Sequence, residues 1–130
     1  MTERSILSTP TTYLGTTFRS KLEAQWAVAF KLHGLKYLYE PKPVSTDFGD
    51  YLPDFLVYPD TVYEVKPTLQ HYREENMPRL ISFQLRHPDL QVRIIAGAPR
   101  YHGIYTVDGV KTDDPFERAL LQTAVEWRFT

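Results

Sequence analysis

Tyr51–Pro67 reads YLPDFLVYPDTVYEVKP. Two runs rich in β-formers, Leu52–Val57 and Thr61–Lys66, flank Tyr58-Pro59-Asp60, so the stretch predicts two strands joined by a turn. Pro59 has no amide to give to a ladder, which favours an odd-length turn over a two-residue one. A three-residue turn pairs Val57 with Thr61 and sets Asp54 opposite Glu64. Strand side chains repeat every two residues, so Lys66 then joins both carboxylates on one face. A two-residue turn would set Asp54 opposite Val65 and scatter the three groups.

Upstream, Thr16 or Thr17 is placed to cap a helix running to about His33, with Gly34 as its stop. Phe18, Leu22, Trp26, Ala29, Phe30 and His33 recur at three and four residues and form one apolar stripe. Arg19 and Glu23 lie at its edge, so they are expected to be partly buried. Residues 1–15 show no clear period. A strand is expected over Lys36–Glu40, then a polar, turn-prone link from Ser45 to Asp50. Downstream, a polar stretch after Pro67 leads to a helix from Asn76 or Pro78 to Arg86, then a buried strand over Gln91–Ala96. Gly97 to Gly103 reads as loop. Asp108-Gly109 between Tyr105–Val107 and Val110–Thr112 predicts a hairpin. A last helix is expected from Asp113-Asp114-Pro115 to about Trp127, with Asp114 and Glu117 spaced as a capping box.

The order is therefore α-β-β-β-α-β, followed by a hairpin and a helix. It implies an α/β or α+β domain in which helices flank a mixed sheet. At 130 residues one domain is expected over 1–130, its core at about 17–97 and the hairpin and helix at 98–130. The chain has no cysteine, which rules out a disulfide framework or a thiolate metal site and favours a cytoplasmic protein. No apolar run has the length of a membrane span. The net charge of −1 gives no global basic footprint for nucleic acid. The charge is unevenly spread, however. Residues 1–43 hold six Lys and Arg against three Glu, whereas residues 44–64 hold Asp47, Asp50, Asp54, Asp60 and Glu64 with no basic residue.

Asp54, Glu64 and Lys66 are the candidate site. Two strand carboxylates and the Val65 carbonyl have the hard oxygen donors that Mg²⁺ or Mn²⁺ prefers, and a neighbouring lysine can orient water or stabilise charge on a phosphorane. Charged residues interrupting buried strands need a reason to be there, but a salt-bridged strand pair would supply one as well. Glu23 is a fourth candidate, with an ion pair to Arg19 as the rival reading. Arg19, Lys21 and Lys42 are candidate phosphate contacts. His33, His71, His87 and His102 lack metal-ligand spacing. Tyrosines 13, 37, 39, 51, 58 and 63 could stack on bases, although strand tyrosines are more often packing residues.

This succession, a helix with Glu23, a strand, Pro53-Asp54, Glu64-Val65-Lys66, a helix and a strand, resembles the PD-(D/E)xK nuclease superfamily over roughly residues 17–97. SKLEAQWAVAFKLHGLKYLYEP, YLPDFLV, VYEVK and RHPDLQVRII are similar to the phage endonuclease I group of Holliday-junction resolvases. PDFLV and EVKP are also similar to the endonuclease subunit of heteromeric bacterial transposases. The resemblance implies a restriction-endonuclease-like core and a Mg²⁺- or Mn²⁺-dependent endodeoxyribonuclease of a bacterial or phage-infected cell. It implies a metal site of Glu23, Asp54, Glu64 and Val65, with Lys66 completing the catalytic set. DNA, duplex or branched, is the implied partner, and a homodimer the implied assembly. The other classes left open are a nucleic-acid- or protein-binding module, a nuclease subunit active only inside a larger recombination complex, and a nuclease acting on RNA.

Overall fold

A computed structural model describes residues 9–97 and 103–124. The chain runs through β1 (Thr11–Tyr13), β2 (Thr16–Phe18), α1 (Lys21–Leu32), β3 (Tyr37–Tyr39), β4 (Val44–Thr46) and β5 (Gly49–Tyr51). It continues through β6 (Phe55–Val57), β7 (Thr61–Lys66), α2 (Leu69–Glu75), α3 (Met77–Arg86), β8 (Gln91–Ala96), β9 (Gly103–Tyr105) and α4 (Pro115–Ala124). The fold is mixed α+β. Its central sheet has five strands in the order β3-β6-β7-β8-β9, and β1-β2 and β4-β5 form separate hairpins. All contacts in the central sheet are antiparallel except β7–β8, which is parallel and is bridged by α2 and α3, the crossover that parallel neighbours require.

The register of the opening stretch is the one that a three-residue turn dictates. Val57 pairs with Thr61, Leu56 with Val62 and Phe55 with Tyr63. Only Phe55–Val57 joins the ladder, a shorter strand than Leu52–Val57, because Pro53 has no amide to donate. Asp54 sits just beyond the ladder, and its carbonyl accepts the Glu40 amide at 2.8 Å. Side chains alternate between two cores. Phe55, Val57, Tyr63, Val65 and Ile95 pack with Trp26 and Phe30 of α1 and Leu120 of α4. Val62, Val92 and Ile94 face the opposite way, onto Tyr51, Tyr72, Leu80 and Phe83. Glu64 and Lys66 share the face of Val62, and Asp54 that of Leu56, so all three point to the α2–α3 side.

Helix α1 starts later than expected. Thr16 and Thr17 belong to β2, and Ser20 is the cap, its Oγ accepting the Glu23 amide at 3.0 Å. At the other end the Gly34 amide (φ +69°) reaches Lys31 O at 2.9 Å and the Leu35 amide reaches Phe30 O at 3.0 Å, a Schellman stop. Ala24, Gln25 and Ala27 are buried as well as the stripe, because α1 packs on the sheet, α4 and the first hairpin together.

Three elements depart from the sequence reading. The first hairpin occupies residues expected to be irregular, and its Leu14-Gly15 loop has positive φ at both positions, as a type I′ turn needs. The expected link at 45–50 is instead folded into the β4–β5 hairpin. The polar stretch after Pro67 forms α2, capped by Thr68 Oγ1 on the His71 amide at 3.1 Å. Past β9 the chain reverses at Asp108-Gly109 as expected, but the returning segment forms no named strand among the described residues. It pairs through the isolated bridge Tyr105–Lys111 and through the Thr106 amide to Val110 O and the Thr112 amide to Ile104 O, both at 2.8 Å. The expected loop residues 98–102 and the expected helix end at Trp127 lie outside the described residues.

At α4, Asp114 caps through its carboxylate on the Phe116 amide at 2.8 Å, but Glu117 does not complete a capping box. Glu117 is buried, accepts the Tyr63 hydroxyl at 2.8 Å and lies 3.6 Å from Arg93 Nε. This lock pins α4 to the sheet. Among the described residues Tyr63 is the one hydrogen-bond donor to that carboxylate, so Tyr63→Phe leaves a buried anion underserved. Urea denaturation should show a loss of about 1–3 kcal/mol, and wild-type stability would refute the lock.

Candidate active site

The turn after β6 and the parallel partner of β7 together fix where the candidate residues meet. Asp54 lies at the entrance to β6, and its Oδ2 accepts the Val65 amide at 2.8 Å. Glu64 stands across from it on β7, and Lys66 two residues further on. Glu23 comes from the first turn of α1 on the other side of the sheet. These four residues, together with Val65, line one open cavity of about 470 Å³. The side chain of Val65 belongs to the core under α1.

The carboxylates are individually held. Glu23 accepts Ser20 Oγ at 2.9 Å and the Tyr39 hydroxyl at 3.1 Å. Ser20 therefore both caps α1 and aims the Glu23 side chain. Ser20→Ala should cost about 1 kcal/mol by thermal denaturation, and an unchanged midpoint would contradict that double role. The expected rival, an Arg19–Glu23 pair, does not form: Arg19 precedes the helix and pairs instead with Glu40 at 2.7 Å. Glu64 accepts the hydroxyl of fully buried Tyr51 at 2.7 Å and has Lys66 Nζ at 3.8 Å. Lys66 also reaches Glu75 of α2 at 3.2 Å.

The charge balance at this site is poor. Burial raises the Asp54 carboxyl well above the ordinary aspartate range, and the neighbouring Glu64 and Glu23 charges raise it further. The Val65 amide and Lys66 offset only part of this. Burial pushes Glu64 up to about 7 against the opposing pull of Tyr51 and Lys66. Burial likewise raises Glu23 in spite of its two hydroxyl donors. Carboxylates that share a buried site suppress one another's ionisation unless a cation joins them. Among the described residues no three His, Asp or Glu side chains lie close enough as they stand to hold a metal ion. Mg²⁺ needs no closed cage, because one or two carboxylates and several waters satisfy it. Asp54 and Glu64, with Glu23 beside them, have that donor chemistry.

Of the three expected phosphate contacts only Arg19 reaches the cavity; Lys21 and Lys42 do not line it. Asn76 and Arg79 of the crossover do, and the sequence carried no sign of this because α3 reaches the site only through the parallel topology. Tyr39 and Tyr51 reach the site as hydroxyl donors, to Glu23 and Glu64. Among the described residues no helix is long and apolar enough to cross a membrane. Comparisons with protein-family models, with curated proteins and with solved structures found no match to this chain.

Proposed function

We propose that the chain is a divalent-metal-dependent endonuclease that hydrolyses DNA phosphodiester bonds. One observation carries the reading: the β6–β7 register brings Asp54, Glu64 and Lys66 to one face, in a cavity that Glu23, Glu40 and Asp50 also line and in which, among the described residues, Lys66 is the one lysine. Metal-assisted hydrolysis is a use for such a cluster that a purely structural ion pair does not need. The order of a helix, three antiparallel strands, a helical crossover and a parallel strand supports the resemblance to PD-(D/E)xK nucleases and to their restriction-endonuclease-like core.

In this reading Asp54 and Glu64 would hold Mg²⁺ or Mn²⁺, which when bound would supply Lewis acidity for phosphodiester hydrolysis. Glu23, aimed by Ser20 and Tyr39, would add a third carboxylate beside that pair. Tyr51 orients Glu64, and the Val65 amide orients Asp54. Lys66 sits where an ammonium steadies the attacking water or the charge growing on the phosphorane oxygens. Its contact with exposed Glu75 is easily released to substrate.

A second reading, a nuclease subunit that binds DNA only beside a partner, is favoured by one observation. The chain has a net charge of −1, and Arg19 at the cavity is already tied to Glu40. A cleavage assay separates the two. Linear duplex, single strand and a four-way junction are offered with Mn²⁺, Mg²⁺ or EDTA, and Glu64→Ala serves as the control. Metal-dependent cutting that disappears in the variant is the expected result. Undiminished cutting by Glu64→Ala, or cutting in EDTA, would overturn the assignment. Metal binding with no cutting would move the reading to the partner-dependent subunit.

A further inference from the structure

We propose that Arg79, assisted by Asn76, binds a phosphate of the DNA strand next to the bond that is cut. The inference rests on the nuclease reading above and extends it to how the substrate is held. Arg79 lies in the first turn of α3 and Asn76 is the N-cap residue of that helix, three positions earlier, and both line the carboxylate cavity.

The case for Arg79 comes from its lack of any other anion. Lys66 lies 3.8 Å from Glu64 and 3.2 Å from Glu75, and Arg19 lies 2.7 Å from Glu40. Arg79 forms no ion pair with any described residue, although Asp50, Asp54 and Glu64 line the same cavity. Its hydrogen bond is a long one, Nε to the Phe48 carbonyl at 3.4 Å, at the tip of the β4–β5 hairpin. That contact engages one edge of the guanidinium and leaves both Nη groups free to donate. Asn76 is also unspent, since its side chain does not cap α3.

A half-buried arginine held by one edge beside an acidic cavity has lost part of its hydration without gaining a counter-charge. A polyanionic strand entering the cavity must offset repulsion from the carboxylates that line it. A planar fork with two free Nη groups matches the two non-bridging oxygens of a phosphate, which a point-charge ammonium does not. The rival role, bracing the hairpin through the Phe48 carbonyl, rests on a bond at the limit of useful length.

The test measures binding by fluorescence anisotropy with labelled duplex and four-way junction, in a Glu64→Gln background that suppresses cutting, across a salt series. Arg79→Ala should weaken binding about tenfold for either substrate and lower the salt slope by about one phosphate's worth. Arg79→Lys should keep the slope and recover only part of the affinity, which guards against a folding defect in the alanine variant. Arg118→Ala, on α4 and paired with Asp113, should bind as the parent does. Parental affinity and slope in Arg79→Ala would overturn the proposal. Arg79-dependent binding by a chain that cuts nothing would keep the contact and remove the nuclease reading. Cutting by the wild-type chain together with unchanged binding in Arg79→Ala would do the reverse, and no DNA binding at all would remove both.

Discussion

Asp54→Asn and Lys66→Ala are each expected to lower metal-dependent cleavage by at least about 10²-fold, and the double substitution by little more than the worse single one. The asparagine keeps an oxygen for the Val65 amide, which Asp54 Oδ2 accepts at 2.8 Å, so the turn into β6 survives while the charge is lost. Lys66 is the one lysine lining the carboxylate cavity. Its removal takes away both a group facing the substrate and the ammonium that favours ionised Glu64. Because the residues act as a unit, their effects should not add. Single-turnover cleavage with saturating Mn²⁺ measures this directly. Multiplying effects would show that the two groups act separately, and a wild-type rate in either variant would remove that residue from the chemistry.

The second large effect is on stability, and its sign is opposite to that of most buried substitutions. Glu64 titrates near 7 in the folded chain and near its ordinary 4.5 when unfolded. A carboxyl whose folded pKa is raised favours the fold fully below the unfolded value, and that advantage is lost as pH rises through the folded one. The metal-free protein should therefore lose stability from Glu64 between about pH 4.5 and 7. Glu64→Gln keeps an acceptor for the Tyr51 hydroxyl and removes the buried charge. It should match wild type near pH 4.5 and exceed it by about 2–3 kcal/mol at pH 8 in urea denaturation with EDTA. A destabilised glutamine variant at pH 8 would mean that Glu64 is a net structural anion, held favourably by Tyr51 and Lys66.

The parts of this fold that were legible in the sequence are those where local pattern and tertiary need agree. Pro59 between two β-rich runs set the register of Val57 on Thr61, and with it the common face of Asp54, Glu64 and Lys66. Gln91–Ala96 was legible as a strand because its β-branched Val92, Ile94 and Ile95 are buried, as a strand covered on both faces demands. The β1–β2 and β4–β5 hairpins were not legible. Thr11–Phe18 has only a Leu-Gly loop to mark its turn, and Val44–Tyr51 is polar, so neither carries the alternation of a half-buried strand. Helix α2 hid behind a polar surface; Tyr72 is its one fully buried side chain, and the Tyr72 hydroxyl donates to Val107 O at 2.7 Å.

At the site, sequence spacing reached what lies on one strand pair and stopped where long-range packing takes over. Glu23 was legible as a member because its helix edge is fixed by local periodicity, but its partners Ser20 and Tyr39 were not. Lys21 and Lys42 were chosen for charge alone, and charge says nothing about which side of the sheet a residue reaches. Arg79 needed the crossover, and Glu117 needed the docking of α4 against Tyr63 and Arg93, so neither could be read from its own neighbourhood in the chain.

The most direct test of the central claim is calorimetric titration of the purified chain with Mn²⁺ at pH 6 and pH 8, for wild type and Glu64→Gln. Buried carboxyls that must release protons to bind a cation should give a wild-type site that is tighter at pH 8 and releases protons on binding, while the variant binds weakly or not at all. Absence of Mn²⁺ binding at pH 8, or equal binding by the variant, would contradict a metal centre built on Asp54 and Glu64.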